Sequence, residues 1–185
     1  MRVLLVTVTA VAVAVLAWTS GATAQESLQP FEFKQLNTKL TLQDALQAKL
    51  VERCYPSNFN GVPLQVCPTT AKIWRGGIAG YEMFGEDVSF DDVGLVAYHT
   101  AVLPSGLATV GAAFEAKYGA PCAVENSALQ NKFGATFDQT TTVWCFADGQ
   151  LQLKRYSLRN LQRSSIDFVA QRLVDRKPPV PSVNF

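Results

Sequence analysis

His99 is the chain's one histidine. A Ser/His/Asp triad would therefore pass through it. By alternation along residues 95–99 it shares a strand face with Phe90, Leu95 and Ala97. That face is expected to meet a helix, which makes His99 a packed, hydrogen-bonded residue rather than a ligand. A Ser/His/Asp set needs a nucleophile on a strained turn, and no G-x-S-x-G is present. Glu86, Asp87, Asp91 and Asp92 lack the alternate-oxygen spacing and late Glu of a calcium loop. Asp91 and Asp92 suit a turn, where a carboxylate bonds nearby backbone N–H groups, and the acidic set reads as turn residues on a solvated edge. Gly76-Gly77 with Gly80 lacks the Gly-Lys-Ser/Thr ending of a phosphate loop and reads as a bend or bulge. The residues thus point to no catalytic set, no metal and no cofactor, and to a protein that is not an enzyme.

Four cysteines, Cys54, Cys67, Cys122 and Cys145, allow three disulfide connectivities. Their even number suits two bridges in an oxidising compartment, and the sequential pairs 54–67 and 122–145 close the shortest loops. The rival reading, a metal or redox site, would want a C-x-x-C or more histidine. Export is also indicated by residues 1–24. Arg2 precedes an uncharged apolar run, and Ala22-Thr23-Ala24 places small residues where a signal peptidase reads. The run is shorter than the roughly 20 residues of a membrane span. Cleavage before Gln25 is expected, with no Cys there to carry lipid, so the chain is read as periplasmic or secreted with no membrane span. The formal net charge of +1 falls to balance once Arg2 is removed. That argues against nucleic acid, whose binders carry a basic excess. Lys154, Arg155, Arg159 and Arg163 form a local basic group, read either as a solvated edge or as a site for an acidic protein partner.

The elements that must position these residues are legible in outline. Thr41 and Asp44 form a capping box before Leu42, Ala45, Leu46 and Leu50, predicting a helix that runs to about Cys54 and stops before Pro56. Residues 31–33 suggest a short strand. Ile73-Trp74 and residues 80–84 suggest strand pieces. Residues 88–99, "VSFDDVGLVAYH", alternate on both sides of a turn at 91–94 and read as a hairpin. Pro104-Ser105 opens a second helix with Leu107, Val110, Phe114 and Tyr118 on one face, ended by Gly119 and Pro121. Residues 131–137 read as strand and turn. Trp144 and Phe146 lead to Asp148-Gly149, a two-residue hairpin signal. Residues 164–175 are open between a strand, with Ile166, Phe168 and Ala170 alternating, and a helix capped by Ser165. A strand pairing with residues 150–156 is favoured.

Helix, proline break, cystine loop and terminal hairpin recur in the same order. This predicts an α+β fold of two tandem units, residues 25–103 and 104–176, each a helix packed on an antiparallel sheet, with an extended tail at 177–185. If Trp144, Phe146, Leu151 and Leu153 face the helix, then Gln150, Gln152, Lys154 and Tyr156 face outward. In the first hairpin Val96, Tyr98 and Thr100 would do the same. Val96, Tyr98, Gln152, Lys154 and Tyr156 are the candidate partner-binding residues, because Tyr offers a large stiff surface with a polar tip.

The paired hairpins "VSFDDVGLVAYH" and "WCFADGQLQLKRYSL", the helices ending at Pro56 and Pro121, and one candidate cystine per unit resemble the β-lactamase inhibitor protein fold and the related small outer-membrane assembly lipoproteins. The resemblance spans most of residues 40–158. It implies repeats of helix on sheet whose joined sheets make a concave gripping surface. Inhibition of a β-lactamase is not carried over. The expected function is an exported, non-catalytic protein-binding module acting through its open sheet face, with inhibition as one form of that binding. A structural or assembly accessory of the bacterial envelope is the alternative.

Overall fold

The computed structural model describes residues 28–130, 134–157 and 160–176. The expected leader 1–24, Arg159, residues 131–133 of the expected turn and the tail 177–185 lie outside them. Eight strands, β3 (Tyr55–Phe59), β4 (Val62–Pro68), β5 (Phe84–Phe90), β6 (Leu95–Val102), β7 (Ala123–Gln130), β8 (Thr136–Phe146), β9 (Gly149–Lys154) and β10 (Ser164–Ala170), form one sheet. Its order is β3-β4-β5-β6-β10-β9-β8-β7, and every pairing is antiparallel. A two-stranded hairpin, β1 (Glu32–Phe33) with β2 (Leu36–Asn37), stands apart from it. The helices are α1 (Leu42–Gln47), α2 (Ala71–Trp74), α3 (Leu107–Tyr118) and α4 (Gln171–Asp175).

The α+β class and both sequential disulfides, Cys54–Cys67 and Cys122–Cys145, are present. The expectation of two helix-on-sheet units side by side is corrected to one continuous sheet. β6 and β10 pair from Ser164↔Val102 to Val169↔Ala97, fusing the two halves. An apolar strand left at an edge would expose its unpaired backbone, so joining the two removes two such edges.

One apolar layer lies on one face of this sheet. The cross-strand row Val88, Tyr98, Phe168, Leu151 and Trp144 forms its floor. α3 starts behind Pro104 and buries Val110 and Phe114, as its spacing predicts. Gly119, at φ 83°, ends it by donating its N–H to Glu115 O. Phe114 meets Trp144 edge-on at 5.5 Å and Phe33 at 5.9 Å. Phe31 stacks on Phe168 at 3.7 Å. The Asp148 carboxylate holds this N-terminal segment by accepting the Phe31 N–H at 2.7 Å and the Thr38 hydroxyl.

Local expectations divide by how much tertiary structure decides them. Thr41 caps α1, accepting the Asp44 N–H at 3.1 Å. The helix stops at Gln47 rather than near Cys54, because Lys49 turns left-handed (φ 56°) and brings the Leu50 N–H back to Ala45 O. Pro56 lies in β3 instead. Residues 73–74 belong to the one-turn helix α2, not a strand; two apolar residues are too few to show a period. β7 was not expected, since its residues are mostly polar and exposed. Residues 164–170 prove to be a strand paired with β9, the favoured reading; the short helix α4 follows from Gln171 with Ala170 at its N-cap, so Ser165 lies within the strand and caps no helix.

The largest correction concerns the first hairpin. Ser89 pairs with Ala97 and Phe90 with Leu95, which leaves Val96 as one extra residue in β6. Such a bulge reverses the side-chain parity beyond it. Leu95 and Val96 are therefore both buried, and Tyr98 and Thr100 turn inward while Ala97 and His99 turn outward. The turn itself is built on Asp91, whose side chain is 1 % exposed rather than solvated. It accepts the N–H groups of Val93 and Gly94, each at 2.9 Å, and Arg172 Nε at 3.1 Å and Nη2 at 3.2 Å. Burial works to raise the Asp91 pKa, but the Arg172 guanidinium and the backbone donors outweigh it and hold the carboxyl below its ordinary value. Gly94 is required here because a Cβ would sit 2.7 Å from Thr38 O.

Arg172→Ala leaves this buried carboxylate short of its main cation. Urea unfolding at pH 7 should show a loss of about 3 kcal/mol. A loss within about 0.5 kcal/mol, the range of an ordinary surface change, would show that the pair does not hold the turn.

Candidate binding face

The face opposite the apolar layer is built from the alternate residues of the same strands. One row runs Asp87, His99, Asp167, Gln152 and Val143 across β5, β6, β10, β9 and β8. A neighbouring row runs Ser89, Ala97, Val169, Gln150 and Cys145, and another Phe84, Ala101, Ser165, Lys154 and Thr141. The middle of the face is made of small residues, Ser89, Ala97, Ala101 and Ser165. Ser89, Ala97 and Ser165 line a shallow depression of about 340 Å³ bounded by Asp87, His99, Lys154, Asp167 and Val169.

Asp167 organises this depression. Its Oδ1 lies 2.6 Å from His99 Nδ1, and its Oδ2 accepts from Lys154 Nζ at 3.1 Å and from Ser165 Oγ at 2.9 Å. The three partners come from β6, β9 and β10, so the cluster exists only because those strands are neighbours. Burial would push the Asp167 pKa up, but the His99 hydrogen bond and the Lys154 charge prevail and lower it. In a hydrolytic triad the imidazole stands between acid and hydroxyl. Here the carboxylate stands between imidazole and hydroxyl, an arrangement that fixes side chains without activating Ser165. Among the described residues no group of three or more His, Cys, Asp or Glu is placed to hold a metal ion.

The candidate binding residues divide. Gln152 and Lys154 lie on the open face, half-buried, as expected. Tyr156 follows just past β9. Its backbone is held on both sides by the buried Gln139, which accepts the Tyr156 N–H at 2.9 Å and donates to Tyr156 O at 3.1 Å. Its ring meets Phe137 at 5.8 Å. Val96 and Tyr98 are corrected. They are 0 % and 1 % exposed, on the covered side, because the bulge reverses their parity. His99, expected against a helix, takes the open position instead. Asp167, Ser165 and Gln139 were missed. Asp167 had a signal, a lone acid inside the apolar run "SSIDFVA", whereas Ser165 and Gln139 had none.

Asp167→Asn tests the cluster through pH. Because the folded-state pKa of Asp167 is lowered, its stabilisation is complete above the ordinary carboxyl value of about 3.9 and disappears as pH falls through the folded value. The variant should be less stable than the parent by about 1–3 kcal/mol at pH 7, and the gap should narrow at pH 3. Equal gaps at both pH values, measured by urea unfolding, would deny Asp167 this role. No family model, no curated protein and no solved structure matches this chain.

Proposed function

We propose that the chain is an exported, non-catalytic module that binds another protein on the open face of its eight-stranded sheet. The observation that supports this most is the contrast between the faces. One is sealed by helices and aromatic packing, while the other keeps a central depression whose charged side chains are already tied to one another. A face whose side chains are held in place before contact loses little freedom on binding. The rim supplies Phe84, Phe137, Tyr156 and Arg163, types enriched where interfaces concentrate their energy. Two disulfides suit an oxidising compartment, the periplasm or the exterior. Among the described residues no helix is long and apolar enough to cross a membrane. Inhibition of an enzyme is one form this binding would take.

Val169 lies half-buried in the middle of the open face, between Ala97 and Gln150. Val169→Arg places a long charged chain there with its tip free to reach water. With the oxidised mature protein as bait in envelope and secreted fractions, a dominant partner should be recovered by the parent and reduced at least about tenfold by a variant of unchanged thermal midpoint. Equal recovery by both would overturn the proposal.

A further inference from the structure

Two guanidinium groups rest on aromatic rings at one end of the sheet, that of Arg163 on the open face and that of Arg155 just past the end of β9, and among the described residues neither has a carboxylate partner. Arg163 places its guanidinium carbon 3.9 Å from the centre of the Phe84 ring, and Arg155 places its own 5.3 Å from the centre of the Tyr156 ring. Among the described residues, the ion pairs of this region join Asp167 to His99 and Lys154, and neither Arg155 nor Arg163 takes part in one. Phe84 pairs with Ala101, in the row that continues through Ser165 to Lys154, so the Arg163 guanidinium and Lys154 stand on one row of the face, three strands or roughly 14 Å apart. Tyr156 is fixed from behind by Gln139 and flanked by Phe137. A guanidinium resting on a ring keeps its N–H edge free for a carboxylate and is already ordered when one arrives. Lys154 spends one contact on Asp167, and an ammonium has three donors.

We propose that this end of the sheet receives an extended acidic segment of the partner protein, its carboxylates seated on Arg163 and Arg155, with Lys154 on the same row of the face as the Arg163 ring site. The proposal rests on the open face being the binding surface and adds the chemistry of what it takes. A protein segment fits better than a polyanion. Three cations on a near-neutral chain match a few carboxylates, whereas nucleic acid and anionic membranes select for a broad basic excess.

The test uses the oxidised mature chain and two blocked peptides, acetyl-Asp-Glu-Asp-Glu-amide and its Asn-Gln-Asn-Gln twin. Nitrogen–proton NMR follows the arginine Nε–H signals. The acidic peptide should move those of Arg155 and Arg163 and the backbone signals around Tyr156, and the amide twin should not. Arg163→Glu should weaken the acidic peptide at least about tenfold, and Arg163→Gln, a shorter neutral amide that removes the charge without reversing it, should weaken it in the same direction at an unchanged thermal midpoint. Equal effects of both peptides, or shifts confined to other parts of the chain, would overturn the proposal. So would a response to phosphatidylglycerol vesicles or a short DNA duplex in place of the peptide. A captured partner separates this inference from the broader reading. Loss of that partner with Val169→Arg but not with Arg155→Glu/Arg163→Glu keeps the binding face and removes the acidic segment. Loss with neither removes both.

Discussion

The pairing of β6 with β10 is the constraint on which the rest of the molecule depends. It turns two four-stranded meanders into one sheet, and it lets rows of side chains cross from β5 to β8 without interruption. On one side this continuity gives a single apolar layer in which Tyr98 of β6 touches the same floor as Leu151 and Trp144. On the other it assembles Asp167 with His99 and Lys154, residues far apart in the chain. Neither half contains that cluster by itself.

Around this join the chain spends its polar interactions on fastening ends. Asp91 anchors the β5–β6 turn to α4 through Arg172, and Asp148 anchors the β8–β9 turn to the N-terminal segment. Both carboxylates sit at hairpin turns and both hold a distant segment of chain against the helix-covered layer. In the sequence both turns carry Phe, one residue, Asp, two residues and Leu, at Phe90–Asp92–Leu95 and Phe146–Asp148–Leu151. These aspartates, however, differ: Asp148 is the second anchor, whereas in the first hairpin the matching Asp92 is exposed and its neighbour Asp91 does the work.

Much of the fold could be read from residue order, and the errors have one physical source. Signals that act within a few residues were reliable: the Thr41 cap, the end of α3 at Gly119 and the turns of the two terminal hairpins; the cystine pairs, over 13 and 23 residues, held as well. What failed depended on partners distant in the chain. Whether the halves share a sheet is decided by edge strands meeting in space, and α1 ends early through a left-handed residue that no composition rule marks. The binding face suffered most, because alternation is a running count and one bulge at Val96 reverses everything after it. Gln152 and Lys154, counted along the unbroken β9, were placed correctly; Val96 and Tyr98, counted from the wrong side of the bulge, were not. The Phe90–Asp91–Asp92 stretch looks the same whether or not an extra residue follows the turn.

The position of the two disulfides within this sheet has a kinetic consequence. Each closes a short span, 13 and 23 residues, wholly inside one half of the chain, and neither crosses the β6–β10 join. Short loops close with little entropic cost, while the central ladder brings together segments more than twice as distant in sequence. Oxidation of a chain emerging into its compartment therefore does not have to wait for the sheet to zip at its middle, and neither cystine can lock the halves in a wrong mutual register. The seam that creates the open face is held by noncovalent contacts alone, and the cross-links leave it free to search until those contacts fit.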